Sequence, residues 1–541
     1  MLSIERESLS SPLLADSSVP KMNDHEEERG TGFIAVVVSA NDNRNPNLTL
    51  HVTPPPQPFW KSPAQITAMV SNFSTSYNVV NISLVLPILE SIYKVSEEED
   101  ATCASSLLAG MVVGQLLGGA LGDSFLGRLG ALHMVMAFQI VSSIGSALVP
   151  TKHLFLALAI WRFLLGVGCG GVYPLAAVLS AEQGDQAHAP KTEDETPEER
   201  RQQLHRVVIV FSMQGVGFLA VPLLTVPLLY ATDNVDLVWR LVLGFGSLPG
   251  LLLVALQYNL YRRNFRDRHA VPPEEPASEA IAADVPIEYG KSPWVSENHE
   301  STLISQNERT EAEAMDGYED IIHATSLWDS IKHEPHLGRK LIGTAGAWFL
   351  FDVLFYGNTL FQPIVMEAAF GGGVSALRKV ATDSLILSLI ALPGYIFSAI
   401  VMGKRVCYLT QTPRFVQKQG FVVMGMLYAI IGSYWSFLKR VPWLLVLVYG
   451  STFFFANYGP NTTTFVFPSL VYSPECRSTL NGISAAAGKA GALFGATLFE
   501  PAARELGDDK VMLICAGVSV LGFAITHFFV RLPPAHHETQ L

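Results

Sequence analysis

Long apolar runs alternate with short polar breaks along most of this chain, a pattern that predicts twelve membrane-crossing helices. In the first half the runs cover 65–92, 104–125, 130–149, 154–181, 206–231 and 237–261. In the second they cover 341–366, 381–403, 416–437, 442–466, 480–499 and 511–530. Several reach the ~20 residues that a helix needs to cross the hydrocarbon layer. Lipid offers the backbone no hydrogen bonds, so such runs are helical. The expected architecture is an all-α membrane protein with one six-helix bundle in 59–261 and a second in 341–530. Polar segments frame them: 1–58, 262–340 and 531–541. The first is rich in Pro, Ser and Asn, reads as a disordered tail, and shows no charged n-region and apolar h-region of a cleaved leader. Inside the second, Tyr318 to Ile331 spaces Ile321, Ile322, Leu327, Trp328 and Ile331 as a short amphipathic helix for the membrane's inner face.

Composition agrees with lipid. Of 541 residues 49% are hydrophobic and 16% charged, against about 25% charged in soluble domains. The net charge of −12 comes mostly from tails and loops, so it says little about a cargo. Basic residues give the orientation. Arg262, Arg263, Arg266 and Arg268 follow the sixth run, Arg200, Arg201 and Arg206 the fourth, and Lys404, Arg405 and Arg414 the eighth. The opposite loops carry Glu97, Glu98, Glu99 and Asp100, or Glu505, Asp508 and Asp509. The positive-inside rule therefore puts both termini and the central loop in the cytosol. Five scattered cysteines (Cys103, Cys169, Cys407, Cys476, Cys515) lack the spacing of a metal or redox motif. No metal, cofactor or nucleic-acid partner is expected, and the chain reads as a monomer in the bilayer.

Two charges interrupt the apolar runs. Asp352 lies in Ala347-Trp-Phe-Leu-Phe-Asp-Val-Leu-Phe-Tyr356, and Lys489 in Gly482-Ile-Ser-Ala-Ala-Ala-Gly-Lys-Ala-Gly491. Such a residue at mid-bilayer costs about 2.5–3.5 kcal/mol on insertion scales and normally faces a partner or a wet path. Opposite signs in the same half suggest an ion site, although a static bridge joining two helices remains the simpler alternative. Trp348, Asp352 and Tyr356 are four apart and share one helix face.

Motifs extend the picture. Gly114-Gln-Leu-Leu-Gly118-Gly119-Ala-Leu-Gly122-Asp123-Ser-Phe-Leu-Gly127-Arg128 sets small residues at four-residue spacing before a charged turn. It resembles the signature of the major facilitator superfamily, in which a charge relay latches the cytosolic side. Asp123 and Arg128 would form that latch, weakened by Leu129 where a second basic residue is usual. The run Tyr458-Gly-Pro-Asn-Thr-Thr-Thr-Phe465, the stretch 482–492 around Lys489, and Trp161 to Glu182 resemble the phosphate:proton symporter family of that superfamily over about residues 60 to 500. The resemblance implies the major facilitator fold and alternating access between the bundles.

It also implies a site. Positions matching Tyr173, Gln214, Trp348, Asp352, Tyr356 and Asn461 would surround phosphate, with Lys489 close by. The chemistry agrees, because a buried oxyanion needs a counter-charge and several donors. Asp352 could also exchange a proton: neutral, it donates to phosphate, and ionised, it repels the anion and pairs with Lys489. The cargo is then inorganic phosphate with protons, in the plasma membrane or, second, a vacuolar or other internal membrane. An organophosphate such as a glycerophosphodiester, facilitated or export transport, and a non-transporting sensor stand as alternatives. One departure bears on coupling. Where the family carries carboxylates, this chain has Thr75, Asn78 and Val172, none of which can carry a proton as an acid.

No catalytic constellation is present. Gly166-Val-Gly-Cys-Gly170-Gly171 lies inside an apolar run with no Gly-Lys-Ser/Thr after it, and no HExxH or Ser/His/Asp spacing occurs. The reading is not an enzyme.

Overall fold

The computed structural model describes residues 62–124, 126–182, 197–269, 326–370, 376–406 and 408–531. The N-terminal tail, residues 532–541 of the C-terminal tail, most of the central loop, residues 318–325 of the amphipathic stretch and Cys407 lie outside the described residues. The first half comprises α1 (Pro63–Val80), α2 (Ile82–Ile92), α3 (Glu97–Gly122), α4 (Gly127–Ala147), α5 (Leu154–Glu182), α6 (Pro197–Ala231), α7 (Val235–Phe245) and α8 (Leu248–His269). Short helices α9 (Leu327–Lys332) and α10 (Leu337–Leu341) lead through a π turn, Ile342–Gly346, into α11 (Ala347–Phe370). Then come α12 (Ala376–Val401), a hairpin of β1 (Arg405–Val406) and β2 (Leu409–Thr410), α13 (Pro413–Ser433) and α14 (Trp435–Leu438). The last stretch holds α15 (Pro442–Ala456), a second π turn (Asn457–Asn461), α16 (Thr462–Val471), α17 (Arg477–Leu506) and α18 (Asp508–Phe529).

Several crossings are composite. The first breaks at Asn81 between α1 and α2, the sixth at Gly246–Ser247, and the tenth at Gly459, whose backbone leaves the helical region beside Pro460. A proline removes a backbone donor and frees a carbonyl on the preceding turn. Eight described helices are long and apolar enough to cross a membrane by length and composition alone. The crossings that fall short are α1–α2, α11, α15–α16 and α17, which carry Asn, Ser and Thr or the two charges. Polarity marks the helices facing the centre.

Helix contacts follow the small residues. A Cβ on Gly114 would sit 2.1 Å from the Val167 carbonyl, and one on Gly482 would sit 2.3 Å from that of Gln115. Glycine there lets α3 lie directly on α5 within one half, and on α17 across the halves. Within the described part of the amphipathic stretch a helix runs from Leu327 to Lys332. Its Leu327 and Ile331 pack with Leu337 and Leu341 against Val471, Tyr472, Cys476 and Leu480. Trp328 points away, 64% exposed.

The two ends of the bundle differ. At one, Asp123 closes the junction by accepting from the backbone N–H groups of Ser478 (3.2 Å) and Thr479 (2.7 Å), thereby capping α17. Arg128 donates to the Pro474 carbonyl at 2.6 Å and pairs with Glu182 at 2.9 Å and with Asp123 at 3.4 Å. Arg477 reaches Glu182 at 3.3 Å. At the other end a cavity of about 440 Å³ separates the halves, lined by Val80, Leu84 and Phe218 on one side and Phe355, Asp383 and Phe453 on the other.

Candidate functional site

At the foot of that cavity the two intramembrane charges meet. Lys489 Nζ on α17 donates to Asp352 Oδ2 on α11 at 2.6 Å, and the residues are 3% and 2% exposed. Burying both charges is tolerable only because each is the other's partner; removing one typically costs 3–5 kcal/mol. Lys489 Nζ also lies over two rings, 4.7 Å from the Tyr356 centroid and 5.6 Å from that of Tyr173. Ring faces attract a cation, so these tyrosines hold the ammonium at the centre.

The neutral residues join this pair in a ring drawn from five helices. Tyr173 on α5 donates to Gln214 Oε1 on α6 at 3.0 Å. Gln214 Nε2 donates to the Tyr395 hydroxyl on α12 at 3.1 Å, and Asn461 Nδ2 reaches the same oxygen at 2.9 Å. Asn461 also donates to Asn457 Oδ1 at 2.7 Å. Tyr395 oxygen thus receives two hydrogen bonds, and among the described residues its own proton has no acceptor, leaving it free for a ligand. A pocket of about 10 Å³ is bounded by Tyr173, Phe211, Gln214, Trp348, Asp352, Phe355, Tyr356, Asn461 and Lys489. That is room for about one water. Anything larger must separate the groups around it, the ion pair included.

All seven sequence-derived binding candidates therefore converge on one pocket. Phe355 and Tyr356 line both the pocket and the large cavity and form the partition between them. Phe355 stacks across the halves on Phe218, with centroids 6.2 Å apart. The positions lacking carboxylates are closed by neutral contacts. Thr75 donates to Gln139 at 3.1 Å, Gln139 to Ser74 at 2.9 Å, and Asn78 to the Gly246 carbonyl at 2.9 Å. Val172 is fully buried apolar core.

Sequence reasoning missed Tyr395, Phe211 and Phe465, which packs on Phe211 at 4.7 Å. It also missed that Glu182 and Arg477 complete the ion cluster at Asp123 and Arg128. Tyr395 sits in Leu392-Pro-Gly-Tyr395, and a proline-glycine step inside a membrane helix was the one local cue to it.

Comparison with known proteins agrees with this layout. The family model of the Major Facilitator Superfamily matches residues 68–496. Low affinity inorganic phosphate transporter 5 of Petunia hybrida is 30% identical over 508 residues, covering 86% of this chain and 88% of that one. Inorganic phosphate transporter PT2 of Toxoplasma gondii is 29% identical, covering 85% and 71%. Among solved structures, the proton:xylose symporter XylE bound to 6-bromo-6-deoxy-D-glucose gives a TM-score of 0.61 at 17% identity, over 87% of this chain and 96% of that one. The human organic anion transporter MFSD10 gives 0.54 at 15% identity, over 87% and 99%. At those identities the likeness is one of fold, twelve transmembrane helices in two six-helix bundles. The chain belongs to the major facilitator superfamily and, within it, to the family of inorganic phosphate transporters.

Proposed function

We propose that the protein carries inorganic phosphate across its membrane by alternating access, coupled to protons through Asp352. The observation that carries this reading is the Asp352–Lys489 pair, buried and enclosed by hydroxyl, amide and indole groups from both halves. The names of its relatives point to the same cargo.

The geometry supports a sequence of events. Phosphate descends the large cavity, passes the Phe355–Tyr356 partition and meets Lys489. Its oxygens take the ammonium, together with donors from Tyr173, Gln214, Trp348, Tyr356 and Asn461, and Tyr395 offers its proton from the large-cavity side. Lys489 must release Asp352 to do so. A carboxylate abandoned beside an incoming anion is doubly unfavourable, so Asp352 takes a proton and becomes a donor. Closure of the cavity and rupture of the Asp123–Arg128–Glu182–Arg477 cluster then expose the site on the other side.

Orientation follows the basic loops, which place the latch end and both termini in the cytosol. The open cavity then faces outward. Thr75, Asn78 and Val172 leave Asp352 as the acid of the site, acting within a monomer. Radiolabelled phosphate uptake in cells or proteoliposomes is the test. Saturable uptake that Lys489→Ala abolishes, that glycerophosphate competes for poorly, and that loses accumulation when the proton gradient is collapsed supports the reading. Binding without translocation refutes it.

A further inference from the structure

We propose that the first half of the protein contains a second anion site, with the donor chemistry for a halide and anchored by Arg162. It lies apart from the Lys489 pocket. Arg162 is on α5, eleven residues before Tyr173, about 16 Å away along the helix axis.

Arg162 is fully buried, and a guanidinium keeps its charge in any environment. NH1 donates to the Asn78 carbonyl at 3.1 Å and to Asn81 Oδ1 at 2.8 Å. Nε and NH2 have no partner, and among the described residues no carboxylate lies within ion-pair reach. Thr75 and Asn78, which stand nearby on α1, are neutral. The arginine thus lacks a counter-charge where one matters most.

Asn81 adds a second, independent feature. It is fully buried at the break between α1 and α2. A guanidinium can only donate, so its bond to Asn81 fixes the oxygen towards Arg162 and leaves the amide nitrogen as a donor. That nitrogen, too, has no acceptor. Arg162 Nε and NH2 and Asn81 Nδ2 therefore offer only hydrogen atoms, around a full positive charge. A water would satisfy some of them but leave the charge uncompensated. A cation is excluded by sign. Asn78 Oδ1 is likewise unpartnered, but it packs on Gly246, where a Cβ would come within 1.9 Å of it.

The helix break lies beside the large cavity: Val80, Ser83 and Leu84, close to Asn81 on either side of it, line the 440 Å³ space. On this proposal a chloride enters from that side. A phosphate would need donors for four oxygens, whereas a halide is served by three N–H groups and one charge.

The test uses the full chain, purified in detergent, with chloride exchanged for gluconate at a constant ionic strength of about 0.15 M. Chloride raises the Tm of wild type by a few degrees in a saturable manner, and bromide does the same. Arg162→Gln abolishes the shift. Asn81→Ala, which keeps the charge and loses one donor, moves the chloride midpoint about tenfold higher. Lys489→Ala keeps the chloride shift while losing any shift produced by inorganic phosphate, so the two sites, and the failure of either reading, are separable. A wild-type Tm indifferent to chloride overturns the proposal without recourse to any variant. So does a chloride shift that survives undiminished in Arg162→Gln and Asn81→Ala.

Discussion

Replacing Asp352 with asparagine separates phosphate binding from proton coupling. The substitution preserves shape and removes only the charge, so Lys489 loses the partner 2.6 Å away. At an effective dielectric of 20, a contact at that distance is worth on the order of 6 kcal/mol of Coulomb energy. The net effect is smaller because both charges have already been stripped of water, and breaking buried pairs costs about 3–5 kcal/mol. The empty Asp352→Asn protein is therefore less stable than wild type. Phosphate restores the missing negative charge, so its stabilising effect is larger in the variant.

Affinity changes in the same sense. On the proposed mechanism phosphate competes with a carboxylate for one ammonium, and binding requires a proton on Asp352. Raising the pH therefore weakens wild-type binding. The asparagine variant has no carboxylate to protonate, so its pH dependence reduces to that of phosphate's own ionisation and, above neutrality, its affinity is tighter by roughly 10–100-fold if about 1.4–2.8 kcal/mol of competition is removed. Equilibrium binding of labelled phosphate from pH 5.5 to 8.5 reads this directly. Uptake into proteoliposomes should equilibrate but not accumulate. A variant that binds more weakly than wild type, or that accumulates phosphate with unaltered pH dependence, refutes the exchange of partners at Lys489.

Other outcomes follow from neighbouring contacts. Tyr395→Phe removes a hydroxyl proton left over for a ligand while keeping the ring against Phe211; phosphate affinity should fall about 5–15-fold in a binding titration, and thermal stability should fall too, because Gln214 and Asn461 lose the oxygen they donate to. Glu182→Gln weakens two contacts, to Arg128 and Arg477, and should shift the resting population towards the latch-open state about tenfold. Maleimide labelling of Cys476, buried at that end, reports the shift, with Cys476→Ser as the blank. Glu334 gives a pH effect. Burial alone would raise its carboxyl, but hydrogen bonds from Lys340 and the Ser473 backbone, with the Lys340 charge, hold it below the ordinary carboxylate range. A lowered value means stability that is complete above about pH 4.3 and lost as pH falls further. Glu334→Gln should therefore melt a few degrees below wild type at pH 7, with the gap persisting down to about pH 4.3 and closing only as pH falls further.

Much of the molecule was legible because lipid imposes a simple rule on sequence. Twelve apolar runs could be read off, since a crossing must be long and apolar. The residues violating that rule, Asp352 and Lys489, were visible as violations. Local spacing placed Trp348, Asp352 and Tyr356 on one face, and the structure turns that face towards Lys489. Exact limits were less accessible. The expectation started the second crossing at 104, but Ser96 and Glu99 form a capping box that carries α3 back to Glu97. Breaks at Asn81 and Gly459 do not interrupt hydropathy and were invisible to it.

What stayed hidden were pairings between distant segments. Asp123 and Arg128 could be suspected of facing each other across a short turn, yet their partners lie some 350 residues on, at Ser478, Thr479 and Pro474. Asp123 spends its carboxylate capping α17, the helix that carries Lys489, and Arg128 holds the loop that starts the same helix. The absent second basic residue at Leu129 thus matters less than the sequence suggested, since Arg477 supplies the second cation from the other half. One helix then joins the two ends of the transport problem. Its first turn is clamped to the first half, and twelve residues further along, about 18 Å away, it presents the ammonium to the pocket. A ligand that pulls Lys489 from Asp352 pulls on the helix that the latch grips. On the proposed mechanism, occupancy of the pocket and release of the Asp123–Arg128 cluster would act on the same helix, and that shared element is what would let a small anion bias a distant closure.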